Sequence, residues 1–145
     1  VITTEQIFLD ADNASAETDW AHIEPMLHKA CTLKDFTQTC TTDDIRKSIE
    51  TEHSECYLFT EHDGVKVAGE MVMVVCVMTY PQTTMMEIGF AAGSNATKLF
   101  QHAFNKAKER GRYYGCDYVR VFGRKGWLKV IEDKKVSTTI WDVKL

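Results

Sequence analysis

The chain is poor in the residues that punctuate or staple a fold. Among 145 residues there are 2 prolines and 8 glycines, which excludes collagen-like repeats and proline-rich linkers. The 5 cysteines are an odd number and none stands in a Cys-x-x-Cys pair, which argues against a disulfide framework and against a structural zinc site. Cys76 falls inside an apolar run and Cys116 just before another, so both are expected as buried free thiols in a reducing compartment. The longest apolar stretch, residues 71–80, is far short of the roughly 20 residues of a membrane helix. An apolar leader is also missing, because Glu5, Asp10 and Asp12 occupy its place. The expectation is one soluble domain over residues 1–145, working in the cytoplasm of a bacterial host.

What is present has the balance of a globular protein, with 44% hydrophobic and 26% charged residues, so wholesale disorder is excluded. The net charge of -4 is unevenly spread: residues 1–95 hold 5 Lys/Arg against 16 Asp/Glu, and residues 96–145 hold 12 against 5. Such a split fits an anionic ligand at the C-terminal half, a partner with an acidic surface, or a dipolar surface that serves solubility.

Patterning orders the elements. Residues 3–18 lack sustained periodicity and read as a short strand or an arm. Residues 20–29 read as a helix capped by Asp19, with Pro25 tolerated only near its first turn. After a Thr-rich connection over 33–42, residues 43–52 form a better helix, capped by Thr42, with Ile45 and Ile49 on one face. A strand over 55–60, an Asp63-Gly64 turn and a long β-rich run over 65–80 make a hairpin. Residues 84–90 return as a further antiparallel strand. Then the period changes: Ala96, Leu99, Phe100, Ala103, Phe104 and Ala107 form one apolar stripe on a helix of about four turns. Ser94 or Asn95 caps its start and Gly111 sits where a left-handed terminator belongs. A strand over 117–122 completes a β-α-β unit, whose outer strands pair in parallel. An amphipathic piece over 127–131 and a strand over 136–144 close the chain. The class is α+β, with a mixed, mostly antiparallel sheet and flanking helices.

The segment Glu87-Ile88-Gly89-Phe90-Ala91-Ala92-Gly93-Ser94-Asn95-Ala96-Thr97 joins a strand to the long helix. Small residues there let a ligand approach the backbone, and the first N–H groups of a helix, with its dipole, favour a phosphate. Lys98, Arg124 and Lys125 add charge if the fold gathers them. An ordinary tight turn with a satisfied cap is the competing reading.

Over residues 42–145 this order of elements resembles the GNAT N-acetyltransferase superfamily. Asp63-Gly64-Val65-Lys66-Val67-Ala68-Gly69 is similar to the family's hairpin and third strand, the helical stripe with Gly111 to its long helix, and Tyr118-Val119-Arg120-Val121 to its fifth strand. Gly123-Arg124-Lys125-Gly126-Trp127-Leu128-Lys129-Val130-Ile131 resembles a segment of phage-encoded GNAT-like and internal virion proteins. The resemblance implies acetyl-CoA lying along Ile88 and Phe90 and held at Gly93, Ser94, Asn95, Ala96 and Thr97, with no metal. It also implies a fourth-strand carboxylate, Glu87, that takes the proton of the attacking amine; burial on a strand raises a Glu pKa toward that task. Glu70 is a weaker second candidate, and a solvent-facing Glu87 is the plain alternative.

Two departures bear on catalysis. The family's pyrophosphate loop usually opens with Arg or Gln, where this chain offers Ala91 or Phe90 depending on register. The helix Tyr that protonates the leaving thiolate is matched by Leu128, which has no proton to give. Two readings therefore stay open: an acetyl-CoA-dependent N-acetyltransferase with a degenerate loop, acting on an amine acceptor, or a non-catalytic virion or assembly protein that works through phage structural partners. His53 and His62 flank a strand, but no third ligand has metal-like spacing. Arg112-Tyr113-Tyr114 would stack on nucleic acid, yet a pI of about 5.7 argues against that partner.

Overall fold

The computed structural model describes residues 1–31 and 40–121, apart from the side chains of Ala96 and Thr97. Expectations for 33–39, for the segment 123–131 and for the strand over 136–144 lie outside the described residues. Among the described residues, five strands form one sheet in the order β1-β2-β3-β4-β5: β1 (Ile2–Ile7), β2 (Ser54–Asp63), β3 (Lys66–Thr79), β4 (Thr84–Gly93) and β5 (Tyr118–Val121). The first three pairings are antiparallel and β4–β5 is parallel. Helices α1 (Ala16–Cys31) and α2 (Thr42–Glu50) precede β2, and α3 (Ala96–Tyr113) makes the crossover from β4 to β5. No helix among the described residues is long and apolar enough to cross a membrane.

The sheet carries a core on each face. On one side α1 and α2 bury Ile23, Leu27, Ile45 and Ile49 against Cys56, Leu58, Val72 and Val74. On the other, Leu99, Phe100, Ala103 and Ala107 of α3 pack on Phe59, Met71, Met73, Met86 and Ile88. The helical stripe read from the sequence is thus the buried face of α3, as 3.6-residue periodicity requires. Removing such surfaces from water is the main force that holds the three helices to the sheet.

Residues 2–7 take the first of the two forms expected of them, a short strand. Several local readings need correction. Helix α1 starts at Ala16, ahead of Asp19, and Pro25 lies well inside it. Both Pro25 and Ala21, whose carbonyl loses its helical donor to the proline, are exposed, so water replaces the missing bond. Thr41, not Thr42, caps α2; its hydroxyl accepts from the Asp44 N–H at 3.3 Å while the Asp44 carboxylate accepts from the Thr41 N–H at 2.9 Å, a reciprocal capping box. Gly111 is helical, and a Cβ there would make ordinary contact with Met86 and Val119, so neither a turn nor a close approach requires glycine at this position. The helix ends instead at Gly115, with φ +71°. There the N–H groups of Gly115 and Cys116 bond the carbonyls of Arg112 and Gly111 at 3.1 and 2.8 Å, the doubly bonded C-terminal motif that wants glycine.

The turn from β4 into α3 is set by contact with β3. A Cβ on Gly93 would fall 2.0 Å from the Glu70 carbonyl oxygen and 2.6 Å from Met71 Cα. Only glycine fits that close approach. Gly93→Ala is therefore expected to destabilise the fold by about 2–4 kcal/mol in urea unfolding, clearly more than Gly64→Ala. At Gly64 the φ is +62° but the space is open, and the cost is about 1 kcal/mol.

Candidate functional site

Strand β4 has two chemically distinct ends. At its C-terminal end, Ser94 is anchored to β3: its N–H donates to the Glu70 carbonyl at 2.9 Å and its Oγ accepts from the Glu70 N–H at 3.2 Å. Asn95 takes the cap position of α3 in a left-handed conformation, φ 57°, and makes no side-chain cap. Its amide instead donates to Glu61 Oε2 at 3.0 Å, and Lys98 pairs with Glu61 Oε1. The Lys98 ammonium, helped by Asn95, holds the Glu61 carboxyl below the usual range against its partial burial. So Ser94 and Asn95 do not cap the helix with their side chains. The first turn of α3, which has no acidic residue, presents N–H groups that a capping side chain would otherwise have taken. Of the expected cations, Lys98 stands beside this turn but is engaged by Glu61; Arg124 and Lys125 lie outside the described residues.

Along β4 the alternation of faces is broken by Gly89. Val74 pairs with Phe90 and Val75 with Ile88, leaving Gly89 as the extra residue of a β-bulge. Ile88 and Ala91 therefore join the α3-side core while Phe90 packs against the core under α1 and α2. The β5 pairing covers Met85 to Ile88 only. Beyond it, Ala91 to Gly93 have no strand partner on that edge among the described residues.

At the other end, Glu87 is buried, 9% exposed, and does not face solvent. It lies across from Cys76 of β3 and Arg120 of β5. One carboxylate oxygen, Oε1, accepts from the Tyr80 hydroxyl at 2.8 Å and from Arg120 Nη1 at 3.3 Å. Arg120 Nη1 also donates to the Tyr80 oxygen at 3.0 Å, and the guanidinium lies 5.1 Å from the centre of the Tyr80 ring. The hydrogen bond to Glu87, then burial and that carboxylate's charge, pushes the Tyr80 phenol up. Burial, then the charge of Glu87, does the same to the Cys76 thiol. Cys76 and Cys116 are free, as expected, but only half-buried; the fully buried Cys56 thiol is pushed up to about 12 by burial.

Other candidates fall away from this strand or pair elsewhere. Glu70 bonds His22 Nε2 at 3.1 Å and sits at the Gly93 end, roughly 20 Å along the sheet from the row of Glu87. His53 and His62 are at opposite ends of β2, roughly 30 Å apart, and no metal-binding cluster occurs among the described residues. Tyr113 and Tyr114 are both stacked by Arg110, at 4.4 and 5.1 Å. An open hollow of about 410 Å³ lined by Glu5, Asp10, Asp12 and Asp19 opens at the end of β1, the far edge of the sheet from Glu87. Tyr80, Arg120 and the Gly89 bulge are the additions that the sequence did not single out. Their signal is pairing register, which one chain does not display.

The end that holds Glu87 is braced by Asp117. Its carboxylate accepts from the Thr83 hydroxyl at 2.9 Å and the Thr84 N–H at 3.1 Å, tying the β3–β4 turn to β5. The Thr84 N–H, then the Thr83 hydroxyl, holds this carboxyl below the usual aspartate range. A carboxylate whose folded pKa is depressed stabilises above the unfolded value, about 3.9, and loses that contribution as pH falls through the folded one. Asp117→Asn should thus lower the urea midpoint at pH 7, and its difference from wild type should close as pH drops below about 3.9.

No protein-family model matches the chain, and no curated protein does. Solved structures do match, over almost their whole length. A GNAT family acetyltransferase of Staphylococcus aureus aligns with a TM-score of 0.65 at 12% identity, covering 99% of this chain and 98% of that one. A possible acetyltransferase of Clostridium difficile 630 gives 0.64 at 10% identity, covering 100% and 98%. An aminoglycoside acetyltransferase from an uncultured soil metagenomic sample gives 0.60 at 13%, covering 99% of each. At such identities the likeness speaks to architecture: the chain has the mixed α+β fold of the GNAT acetyltransferases.

Proposed function

We propose that the protein is an N-acetyltransferase that takes its acetyl group from acetyl-CoA and gives it to a cationic amine. The observation that carries this reading is the pairing, on one strand, of a buried carboxylate at one end with an uncapped helix start at the other. The fit of acetyl-CoA to the residues present can be judged group by group. The first N–H groups of α3 suit a pyrophosphate, with Gly93 and the Ser94–Asn95 turn beneath it. Beyond the β5 pairing, which ends at Ile88, the edge of β4 at Ala91 to Gly93 suits an extended chain carrying amides. An Arg or Gln in the loop is absent, so backbone donors and the helix dipole must hold the phosphates.

Acetyl-CoA supplies the acetyl group already activated as a thioester. The chain's own part is orientation and proton handling. A backbone N–H of β4 is the donor for polarising a carbonyl oxygen. Glu87 accepts one proton from the acceptor's ammonium so that the amine can attack the thioester carbon. As the C–S bond breaks, CoA leaves as a thiolate that takes the nitrogen's second proton, directly or through water. Glu87 Oε1 is held by Tyr80 and Arg120, which leaves Oε2 for the ammonium's proton. The amine class follows from charge: residues 1–95, which supply α1, α2 and strands β1 to β4, hold 16 acidic against 5 basic residues, while β5 adds Arg120 beside Glu87. That field favours a cationic acceptor, and some structural neighbours are aminoglycoside acetyltransferases. The phage resemblance rests on residues 123–131, outside the described residues, and the non-catalytic reading rests on the missing loop Arg or Gln and on Leu128.

Calorimetric titration with acetyl-CoA, with free CoA alongside, is expected to show micromolar binding, about -8 kcal/mol. No heat and no thermal stabilisation at millimolar ligand would overturn the reading and leave a scaffold without chemistry. With an amine acceptor in hand, Glu87→Gln should lower turnover by about 100-fold or more while acetyl-CoA affinity is retained.

A further inference from the structure

The triangle around Glu87 Oε1 is assembled from three separate elements. Tyr80 comes from the β3–β4 turn, Glu87 from β4 and Arg120 from β5. The turn is closed by Tyr80 and Thr83, which exchange backbone bonds at 2.8 and 3.3 Å, and Asp117 fastens that turn to β5. None of this is needed to fill the core, because Tyr80 is 36% exposed and its ring packs against Arg120. A half-exposed phenol with a pinned hydroxyl, aimed at a buried carboxylate, has a different effect: it fixes which oxygen is engaged and which is left. Among the described residues, the other polar group facing Glu87 is the Cys76 thiol, across the strand.

We infer that Tyr80 is a positioning residue for the reaction proposed above, holding Glu87 Oε1 together with Arg120 so that Oε2 meets the acceptor amine. This rests on the acetyltransferase reading, in which Glu87 takes the amine's proton. Tyr80 itself exchanges no proton with the reactants; it donates one hydrogen bond throughout and accepts one from Arg120. The role differs from that of the family's leaving-group tyrosine, whose matching position, Leu128, lies outside the described residues.

The test is a double-mutant cycle on the intact chain. Wild type, Tyr80→Phe, Glu87→Gln and the double variant are assayed for CoA release from acetyl-CoA with kanamycin, spermidine and an alanine-terminated peptide as acceptors. Tyr80→Phe should lower kcat by about 10-fold with KM for acetyl-CoA within about twofold, and it should add nothing in the Glu87→Gln background. Losses that multiply, or an unchanged kcat, would overturn the inference. Ultraviolet titration of the phenols, with Tyr80→Phe identifying the Tyr80 signal, tests the contact without turnover. In Glu87→Gln the Tyr80 phenol should ionise at lower pH than in wild type, and an unmoved phenol would overturn the inference whatever the kinetics. A wild type that binds no acetyl-CoA and acetylates none of the acceptors, yet shows the phenol displaced by Glu87, would sink the acetyltransferase reading and the catalytic role with it. The contact would then stand as a fold-stabilising one.

Discussion

The seam between β3 and β4 governs everything that this molecule can do. Nine residue pairs run along it, from Met71–Gly93 to Thr79–Thr84, with one irregularity at Gly89. Because successive strand residues point to opposite faces, that extra residue re-sorts the strand. Before it, Glu87 shares a face with α1 and α2; after it, Phe90 does, while Ala91 turns toward α3. Without the bulge the alternation would carry Phe90 into the α3 core and disturb both layers. The same seam fixes where β4 ends and hence where α3 begins.

A strand used in this way keeps its two ends apart by about 20 Å, and the electrostatics differ accordingly. The Glu87 end is a carboxylate neutralised by one guanidinium and tied by one phenol. The Gly93 end is a helix start whose nearest charges, Glu61 and Lys98, already answer one another. Any anion drawn there meets peptide dipoles before it meets a free cation, so its attraction depends on fixed geometry more than on net charge.

How far this was legible in the sequence follows from which signals are local. The stripe from Leu99 to Ala107 and the Asp63-Gly64 turn are local, and both elements stand where periodicity and turn chemistry put them. Gly111 misled because a glycine after an apolar stripe usually ends a helix; here it lies inside α3, and Gly115 does the ending. Pro25 misled in the opposite way, since an interior proline is tolerated on a face open to water. The α2 cap slipped by one between adjacent threonines. Family resemblance singles out Glu87, but not the partners that the fold brings to it. Arg120 reaches it through a parallel register across an 18-residue helix, and Tyr80 reaches it from a turn. Such pairings arise from tertiary structure and leave no trace in spacing.

The glycine at the end of β4 carries a lesson for reading sequences of this architecture. A glycine ahead of a helix is ordinarily taken as the mark of a phosphate loop. In this chain the β3 backbone already forbids any side chain at position 93, so the residue would be retained by a relative that had stopped binding nucleotides altogether. Fold and ligand demand the same letter there. What separates a working relative from a retired one must be sought in positions with freedom to change, such as the uncapped asparagine that follows.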